Sequence, residues 1–416
     1  MHDGFADGVG KGQENEGQDD NGGVRPGQVF DFDEVIDRRG TDCAKWDLIE
    51  PLYGVDPADG LSMWVADMDF RAPPSVQQAL AEALERGIYG YHGPATAYKD
   101  AAIDWLQQRH GWAVDPEWIT VAHGLVSGLG LCIQAFSEKG DGVIVFSPVY
   151  HAFERVISAN DRRLVESELQ EVEGRYVMDL EALGAALDGS ERIVILCSPH
   201  NPGGRVWTAA ELRDLAAFCA RHDLILICDE VHHDLVYPGH QHVVTPLAAP
   251  DHRNRMVICA AASKTFNLAG GMTGSVIIEN EGLRSRYRKA QAGAGLSPVH
   301  MGMLMTTAAY RGGADWLEAL LVYLDGNRRF FDDAIAQIPG LRSMALQATY
   351  LAWVDVSALG LEQAEIERRM SKEARIAANY GPTFGKGGEG WLRFNLATPR
   401  SRVEEAVRRL ERTFAA

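Results

Sequence analysis

The sequence predicts an α/β protein, with one large, doubly wound, mostly parallel sheet and a second, smaller α+β domain. Short apolar runs typical of buried strands recur between residues 118 and 280, and amphipathic helix patterns separate several of them. These runs are apolar throughout, as expected for strands that helices cover on both faces. The predicted strands are 119–122, 143–146, 193–196, 224–227, 257–258 and 276–278.

Capping patterns predict where two helices begin. Ser75 and Gln78 have the spacing of a capping box, and Gly87 is placed to end that helix. Thr208 and Glu211 form a second box before an amphipathic run. The smaller domain contains a predicted long helix over 316–338 and predicted strands over 348–355 and 391–396.

The chain divides into four predicted segments. Residues 1–28 are rich in Gly, Asp, Glu, Gln and Asn, a composition that cannot offset the entropy of ordering, so we expect a disordered extension. Residues 29–75 are expected to form an irregular N-terminal segment that packs on the small domain and on the partner subunit of a dimer. A chain of 416 residues with 46% hydrophobic content can bury two cores. We place the large domain at 76–300 and the small one at 301–416.

The composition disfavours several classes of partner. A formal net charge of −18 argues against nucleic acid and anionic membranes, which require a basic surface. No apolar run approaches the length of a membrane span, and the N-terminus does not resemble a signal peptide. The six cysteines show no CxxC spacing, and several lie in apolar runs. We therefore expect buried, reduced thiols in a cytoplasmic protein.

Polar and titratable residues follow the predicted strands at their carboxyl ends. In open α/β sheets, ligands bind at this edge, whereas the opposite ends of these strands carry no comparable set. The sequence therefore predicts a single site formed by several separate turns. These turns are 123–128, 147–150, 198–204, 229–232 and 263–264.

Lys264 and Asp229 are the titratable residues of greatest interest in this set. Lys264 follows a buried strand between small residues, where desolvation lowers the pKa of an amine and makes it a nucleophile able to form a Schiff base. An ordinary surface lysine is the alternative. Asp229 follows an apolar run and needs a cationic partner there, either a protonated ring nitrogen of a ligand or a buried structural ion pair.

Other candidates each have a structural alternative. The glycine turn 124–128 opens a helix and suits a phosphate, but such turns are common. Asn201 can donate to a phenolate or cap its own turn, and Tyr150 offers a ring face for stacking. Arg393 can clamp a carboxylate or form a surface salt bridge. Tyr91 lies in a short turn, where packing explains it equally well.

A metal site is not predicted. His232-His233 and His240-x-His242 are the only histidine pairs at suggestive spacing, and the sequence offers no cysteine or carboxylate that completes a usual ligand set around them.

Together, these motifs resemble the fold-type-I pyridoxal 5′-phosphate (PLP) enzymes of the class I/II aminotransferase superfamily. The closest likeness is to the cystathionine β-lyase and C–S lyase group of the MalY and PatB type, and it extends from about residue 30 to the end. It implies the aspartate aminotransferase-like fold, with a seven-stranded large sheet. The segments that carry it are 37–41, 45–47, 64–70, 89–91, 201–204, 229–232 and 263–267.

The resemblance implies a role for each candidate. Lys264 would form the Schiff base with PLP and then act as base and acid, and Asp229 would keep the pyridine nitrogen protonated. Tyr150 would stack on the ring, and Arg393 would hold the substrate carboxylate, near Tyr150 and Asn201. Tyr91 would reach the phosphate of a neighbouring subunit, which implies a homodimer. The remaining cofactor contacts would be Asn201 and His232 at the phenolate oxygen and Gly124, Leu125, Val126 and Ser263 at the phosphate.

The implied reaction is α,β-elimination from cystathionine or another cysteine S-conjugate, which gives a thiol, pyruvate and ammonia. An aminotransferase or a PLP-dependent oxidative deamination is the alternative, and a regulator without catalytic activity is disfavoured by the intact Lys264, Asp229 and Arg393. Several residues depart from the group's pattern, so the substrate stays open. They are His92, Ser147, Ala152, the run 123–125 and the run 271–274.

Overall fold

The computed structural model describes residues 30–414, so the predicted disordered extension at 1–28 lies outside the described residues. Within that range the α-helices are α1 (Ala44–Asp47), α2 (Ile49–Tyr53), α3 (Pro74–Arg86), α4 (Thr96–His110), α5 (Leu125–Phe136), α6 (Ala152–Ala159), α7 (Leu180–Ala186), α8 (Ala209–Arg221), α9 (Thr245–Ala248), α10 (Ala262–Thr265), α11 (Glu281–Gly293), α12 (His300–Gly312), α13 (Ala314–Ile335), α14 (Gln363–Arg368) and α15 (Arg400–Phe414).

The strands group into two main sheets and two short pairs. They are β1 (Leu61–Ser62), β2 (Ile119–Ala122), β3 (Gly142–Ser147), β4 (Arg163–Glu168), β5 (Gln170–Val172), β6 (Arg175–Val177), β7 (Glu191–Cys197), β8 (Ile225–Asp229), β9 (Met256–Ala260), β10 (Gly274–Ile277), β11 (Arg342–Ser343), β12 (Leu351–Asp355), β13 (Ile376–Ala377), β14 (Asn379–Tyr380) and β15 (Trp391–Asn395).

The large sheet has seven strands in the order β2-β10-β9-β8-β7-β3-β4. Strand β10 runs antiparallel to both of its neighbours, and the other pairs are parallel. All six strands predicted for this sheet are present, and the predicted fold class is confirmed. The seventh strand, β4, was not predicted because four of its six residues are polar and none is buried at the sheet edge.

Alternate residues of the central strands pack into two different cores, which explains why these strands are apolar throughout. One face packs against α8, and the other packs against α5 and α11. Ile144, Phe146, Val194, Leu196 and Leu226 belong to the first core, and Val143, Val145, Ile193, Ile195 and Ile227 to the second.

The small sheet has four strands in the order β11-β12-β15-β14 and packs with α13 and α15 in a core of its own. The N-terminal segment reaches this region, because β1 pairs with β13 and the backbone N–H of Asp69 donates to Ala397. The predicted boundaries of the domains, including the one near residue 300, stay predictions.

The helix-end predictions had mixed outcomes. Thr208 and Glu211 form the predicted capping box, with both reciprocal hydrogen bonds. The predicted box at Ser75 is wrong: α3 begins one residue earlier, Pro73 occupies the N-cap, and no side chain caps the helix. Gly87 ends α3 in the left-handed conformation, as predicted.

The cysteines are free, as predicted, and five of them are buried, whereas Cys43 is half-buried. Across residues 30–414, the structure contains no helix with the length and hydropathy needed to cross a membrane.

Candidate active site

A cavity of about 260 Å³ lies where the strands of the large sheet end, at the edge predicted from the sequence. All of the predicted site residues line this cavity except Arg393 and Tyr91. Arg393 contacts one of the lining residues instead. The lining residues are Ala66, Gly124, Leu125, Val126, Ser127, Tyr150, Cys197, Asn201, Asp229, Val231, His232, Ser263, Lys264, Ala269, Met272 and Thr273.

Lys264 lies in the short helix α10, just beyond the carboxyl end of β9, and its amine faces this cavity. Its Nζ donates to the backbone oxygen of Ala66 at 2.7 Å, and no carboxylate lies within ion-pair distance of it in residues 30–414. Burial lowers the pKa of Lys264 to about 8, although the negative charge of Asp67 acts in the opposite direction. The surface-lysine interpretation is therefore wrong.

Asp229 is the last residue of β8, where its parallel neighbours β7 and β9 also end. Its Oδ1 accepts only the backbone N–H of Val231, at 3.2 Å. Burial raises the pKa of Asp229 to about 6. Among the described residues, no basic side chain forms an ion pair with it, so the structural ion pair considered as an alternative is not present. The carboxylate is free to accept a proton or a cationic ligand group.

The amino end of α5 forms another wall of the cavity. Gly124 precedes the helix with φ +74°, a conformation that favours glycine. A Cβ at this position would also lie 3.2 Å from the side chain of Met272. The backbone N–H groups of the first turn have no partner within the helix, and they carry the positive end of the helix dipole. This wall can bind an anion, and a phosphate fits it chemically.

Arg393 stands behind Asn201, in the middle of β15. Its Nη1 donates to Asn201 Oδ1 at 2.9 Å, and its Nη2 donates to the Trp64 backbone oxygen at 2.7 Å and to Asn379 Oδ1 at 2.5 Å. The guanidinium is buried, its Nε has no partner, and no acidic side chain in residues 30–414 pairs with it. The surface salt bridge is therefore excluded, and a buried positive charge remains without a counter-ion.

Tyr150 and His232 lie on the cavity wall near these charges. Burial raises the pKa of Tyr150, so its hydroxyl stays protonated. Burial, together with the positive charges of Lys264 and Arg393, holds the pKa of His232 well below its ordinary value. The imidazole is therefore neutral, and its Nδ1 has no hydrogen-bond partner.

Tyr91 lies outside this cavity. Its side chain is fully exposed, and so are large parts of Ile88 and Tyr89 beside it. Four of the residues that depart from the family pattern line the cavity. They are Gly124, Leu125, Met272 and Thr273. His92 is half-buried and does not line the cavity.

The statement that no carboxylate accompanies the histidines is wrong. The turn after β8 folds back so that Glu230 comes close to His233 and His242, and Asp234 comes close to His233 and His110. Sequence reasoning missed His110, which lies more than a hundred residues earlier. The local signal that it could have used is the Glu230-x-x-His233 spacing, which places both side chains within one turn.

Comparison with known proteins identifies the family. The model of the family described as aminotransferase class I and II matches residues 59–410. The chain belongs to this family. Within it, the chain is 38% identical to cystathionine β-lyase PatB of Bacillus subtilis, over 92% of this chain and 99% of that protein. The resemblance inferred from the sequence motifs is thereby confirmed.

Solved structures in this aminotransferase family share the fold. Cystalysin from Treponema denticola, whose structure contains a pyridoxal 5′-phosphate cofactor, has a TM-score of 0.89 at 33% identity and covers 93% of this chain and 99% of its own. The PLP-bound C–S lyase from Staphylococcus hominis has a TM-score of 0.87 at 29% identity, with 94% of this chain and 99% of its own covered.

The donors around the cavity fit PLP. An amine of lowered pKa suits the aldehyde, a carboxylate without a cation suits the pyridinium nitrogen, and the free N–H groups of α5 suit the phosphate. The unpartnered Nδ1 of His232 adds a further polar group at the wall. Sequence reasoning did not identify the Ala66 oxygen, because a backbone acceptor carries no signal in residue identity.

Proposed function

We propose that this protein is a PLP-dependent C–S lyase that cleaves cystathionine or another cysteine S-conjugate. The overall reaction consumes one water and gives a thiol, pyruvate and ammonia. The names of the relatives support this reaction. The observation that carries the proposal is the convergence on one cavity of the amine of Lys264, the carboxylate of Asp229 and the amino end of α5.

The residues that line this cavity would hold the cofactor. Lys264 would form the Schiff base, Asp229 would bind the pyridinium nitrogen, and Tyr150 would stack on the ring. When bound, PLP supplies an electron sink for the charge that remains on an amino acid after its α-proton leaves. Asn201 and His232 would contact the phenolate oxygen, and Gly124, Leu125, Val126 and Ser263 would contact the phosphate.

Arg393 binds the α-carboxylate of the substrate. Its guanidinium is fixed by three acceptors, from Asn201, Asn379 and Trp64, and a carboxylate would supply the counter-ion that it lacks. Two charge-assisted hydrogen bonds to one carboxylate fix the rotation of the amino acid about its α-carbon. Tyr150 and Asn201 complete the substrate contacts.

Lys264 transfers the proton at the α-carbon. Burial lowers the pKa of its free amine to about 8, so that above this pH the amine is neutral and stands on the cavity wall as a base. The same group then returns a proton to the departing thiolate. Because its amine is buried, the proton that Lys264 removes stays available for this second step.

The experiment that tests this proposal is incubation of the purified holoenzyme with L-cystathionine, followed by assay of pyruvate and free thiol. Equal amounts of both products support the lyase. Pyruvate without thiol, or neither product from any of a series of cysteine S-conjugates, contradicts it.

Transamination is the second candidate, because the matching family is defined by aminotransferases and because the same residues serve both reactions up to loss of the α-proton. Addition of an α-keto acid separates the two reactions. An aminotransferase forms a new amino acid from the keto acid and releases no thiol, whereas a lyase is unaffected by it.

We further propose that the enzyme is a homodimer in which Tyr91 reaches the cofactor phosphate of the neighbouring subunit. The exposed group of Ile88, Tyr89 and Tyr91 supports a covered interface, since three large apolar side chains side by side on a free surface are unfavourable. Sedimentation equilibrium checks the dimer. Restoration of activity on mixing Tyr91→Phe with Lys264→Ala subunits checks the sharing of the site.

We also propose that the enzyme works in the cytoplasm. All six cysteines are free, and Cys132 and Cys259 are close enough to interact yet are not bonded to each other. Thiols kept in this state are typical of a reducing compartment.

A further inference from the structure

A second group of titratable side chains begins in the same turn that follows β8, but it does not line the cavity. Glu230, His233 and His242 are all buried, with side-chain exposures of 0%, 0% and 2%. His110 and Asp234 lie against them, and the rings of His110 and His233 are 4.4 Å apart between centroids. The proposed reaction uses none of these five residues.

The three buried side chains Glu230, His233 and His242 converge on one point. Glu230 Oε2 lies 3.1 Å from His242 Nε2, and one ligand atom from each of the three lies within 4.8 Å of the others. In a tetrahedral zinc site with bond lengths of about 2.0–2.1 Å, ligand atoms stand roughly 3.4 Å apart. Small side-chain rotations therefore bring these atoms to coordination distance.

His233 gives an independent indication of a ligand. Its side chain is fully buried, its Nδ1 has no hydrogen-bond partner, and its Nε2 has only the carboxylate of Asp234, 3.3 Å away. A buried ring nitrogen without a partner is costly, and native structures rarely contain one. A neutral imidazole is also the commonest protein ligand for transition metals.

The charges of this buried group also favour a bound cation. Glu230 and Asp234 are both buried, and in residues 30–414 neither forms an ion pair with a lysine or arginine. Their only ion-pair neighbours are three histidines. One divalent cation balances the charge of these two carboxylates.

Glu230 is the better ligand of the two carboxylates. Asp234 already accepts hydrogen bonds from Trp105, His110 and Thr265. Glu230 Oε1 is taken by Thr245, but its Oε2 contacts only His242. Asp234 Oδ2 lies 3.3 Å from His233 Nε2, where a carboxylate can orient a metal-binding imidazole.

We propose that Glu230, His233 and His242 bind one divalent transition-metal ion, and that Asp234 positions His233. Two histidines and one glutamate form a ligand set that favours Zn²⁺. The ion joins the turn after β8 to the chain just before α9. Because His232 precedes His233, the ion fixes the backbone that presents His232 to the cavity, and it takes no part in the reaction.

The test is a measurement of bound zinc in the untagged, full-length holoenzyme, after incubation with Zn²⁺ and exhaustive dialysis. We expect about one zinc per chain, with nitrogen and oxygen neighbours near 2.0–2.1 Å and no sulfur in the X-ray absorption spectrum. Less than roughly a tenth of an equivalent, or sulfur ligation, overturns the proposal.

His233→Ala and His240→Ala are the matched variants, since His240 is exposed on the same stretch of chain. His233→Ala should lower the affinity for zinc by at least tenfold, and His240→Ala should leave it unchanged. Equal zinc binding by both variants overturns the proposal. Should His233→Ala fail to retain its cofactor absorption and circular dichroism, His233→Gln replaces it, with the same loss of zinc expected.

Discussion

The turn after β8 divides its polar side chains between two environments that differ in what surrounds each charge. Asp229 and His232 face the cavity, where Asp229 accepts one backbone N–H and has no cationic partner. Glu230 and Asp234 point into the buried group, where each accepts several hydrogen bonds. Neighbouring carboxylates in one turn therefore have different roles. The carboxylate on the cavity side is the one available to an organic ligand, and the carboxylates of the buried group hold the turn in place.

The largest effect is expected on the cavity side from Lys264→Ala. Without the amine, the enzyme loses both the covalent attachment of the cofactor and the base for the α-proton. The rate should therefore fall by about 10³-fold or more. Absorption spectroscopy and a pyruvate assay measure the two losses, and circular dichroism checks the fold. A variant that keeps the visible absorption of the lysine-bound cofactor disproves the assignment of Lys264.

The two aspartates of the turn test the comparison directly. Asp229→Asn removes the partner of the ring nitrogen, so kcat should fall roughly 10²-fold. The stability of the apoprotein should stay the same, because the carboxylate that is lost has no cationic partner. Asp234→Asn removes a charge that His110, Trp105 and Thr265 contact, and should lower the free energy of unfolding by about 3 kcal/mol.

Urea denaturation of the two apoproteins and steady-state kinetics of the two holoenzymes measure these effects. The comparison between the two sides of the turn is wrong if Asp234→Asn loses as much kcat as Asp229→Asn at unchanged stability.

A smaller effect is expected from Arg393→Ala. Loss of two charge-assisted hydrogen bonds to the substrate carboxylate should raise KM by roughly 10- to 100-fold. Cofactor absorption should change little, because Arg393 contacts the lining residue Asn201 and does not itself line the cavity. Arg412→Ala, at an exposed arginine of α15, is the control. A KM that matches this control moves the carboxylate site elsewhere.

The smallest effect concerns pH. Burial lowers the pKa of Lys264 to about 8, so the amine of the apoprotein is protonated below that pH and nucleophilic above it. The rate at which the apoprotein takes up PLP should rise with pH and level off above a midpoint near 8. Stopped-flow absorption between pH 6.5 and 9.5 measures this rate. A rate that still rises at pH 9.5 without levelling off shows that the amine is solvated.

Much of the fold was accessible from the sequence because its central strands are buried on both faces. An apolar run such as that of β7 needs no partner to be identified, and its position fixes the cavity edge. Strand β4 was not predicted because it lies at the sheet edge, where most of its residues are polar and none is buried. The wrong prediction of a capping box at Ser75 shows a different limit. The helix begins one residue earlier, at Pro74, and no side chain caps it.

The site was predictable where chemistry resides in side chains at strand ends, as for Lys264 and Asp229. It was not predictable where contacts come from distant parts of the chain. Neither the hydrogen bond from Lys264 to Ala66 nor the approach of His110 to Asp234 leaves a local pattern. Such pairs are set by how helices and loops pack, which spacing along the chain does not encode.

The segment that contains Ala66 has a consequence for how this enzyme can change. Its backbone oxygens accept hydrogen bonds from Lys264 and Tyr350 at Ala66, from Arg393 at Trp64 and from Asn395 at Val65 and Asp67. Amide oxygens are the same in every amino acid, so point mutations in this segment leave the acceptors in place as long as the chain path is kept. Laboratory evolution of substrate preference therefore has little to gain there, and most to gain at side chains that line the cavity, such as Met272 and Leu125.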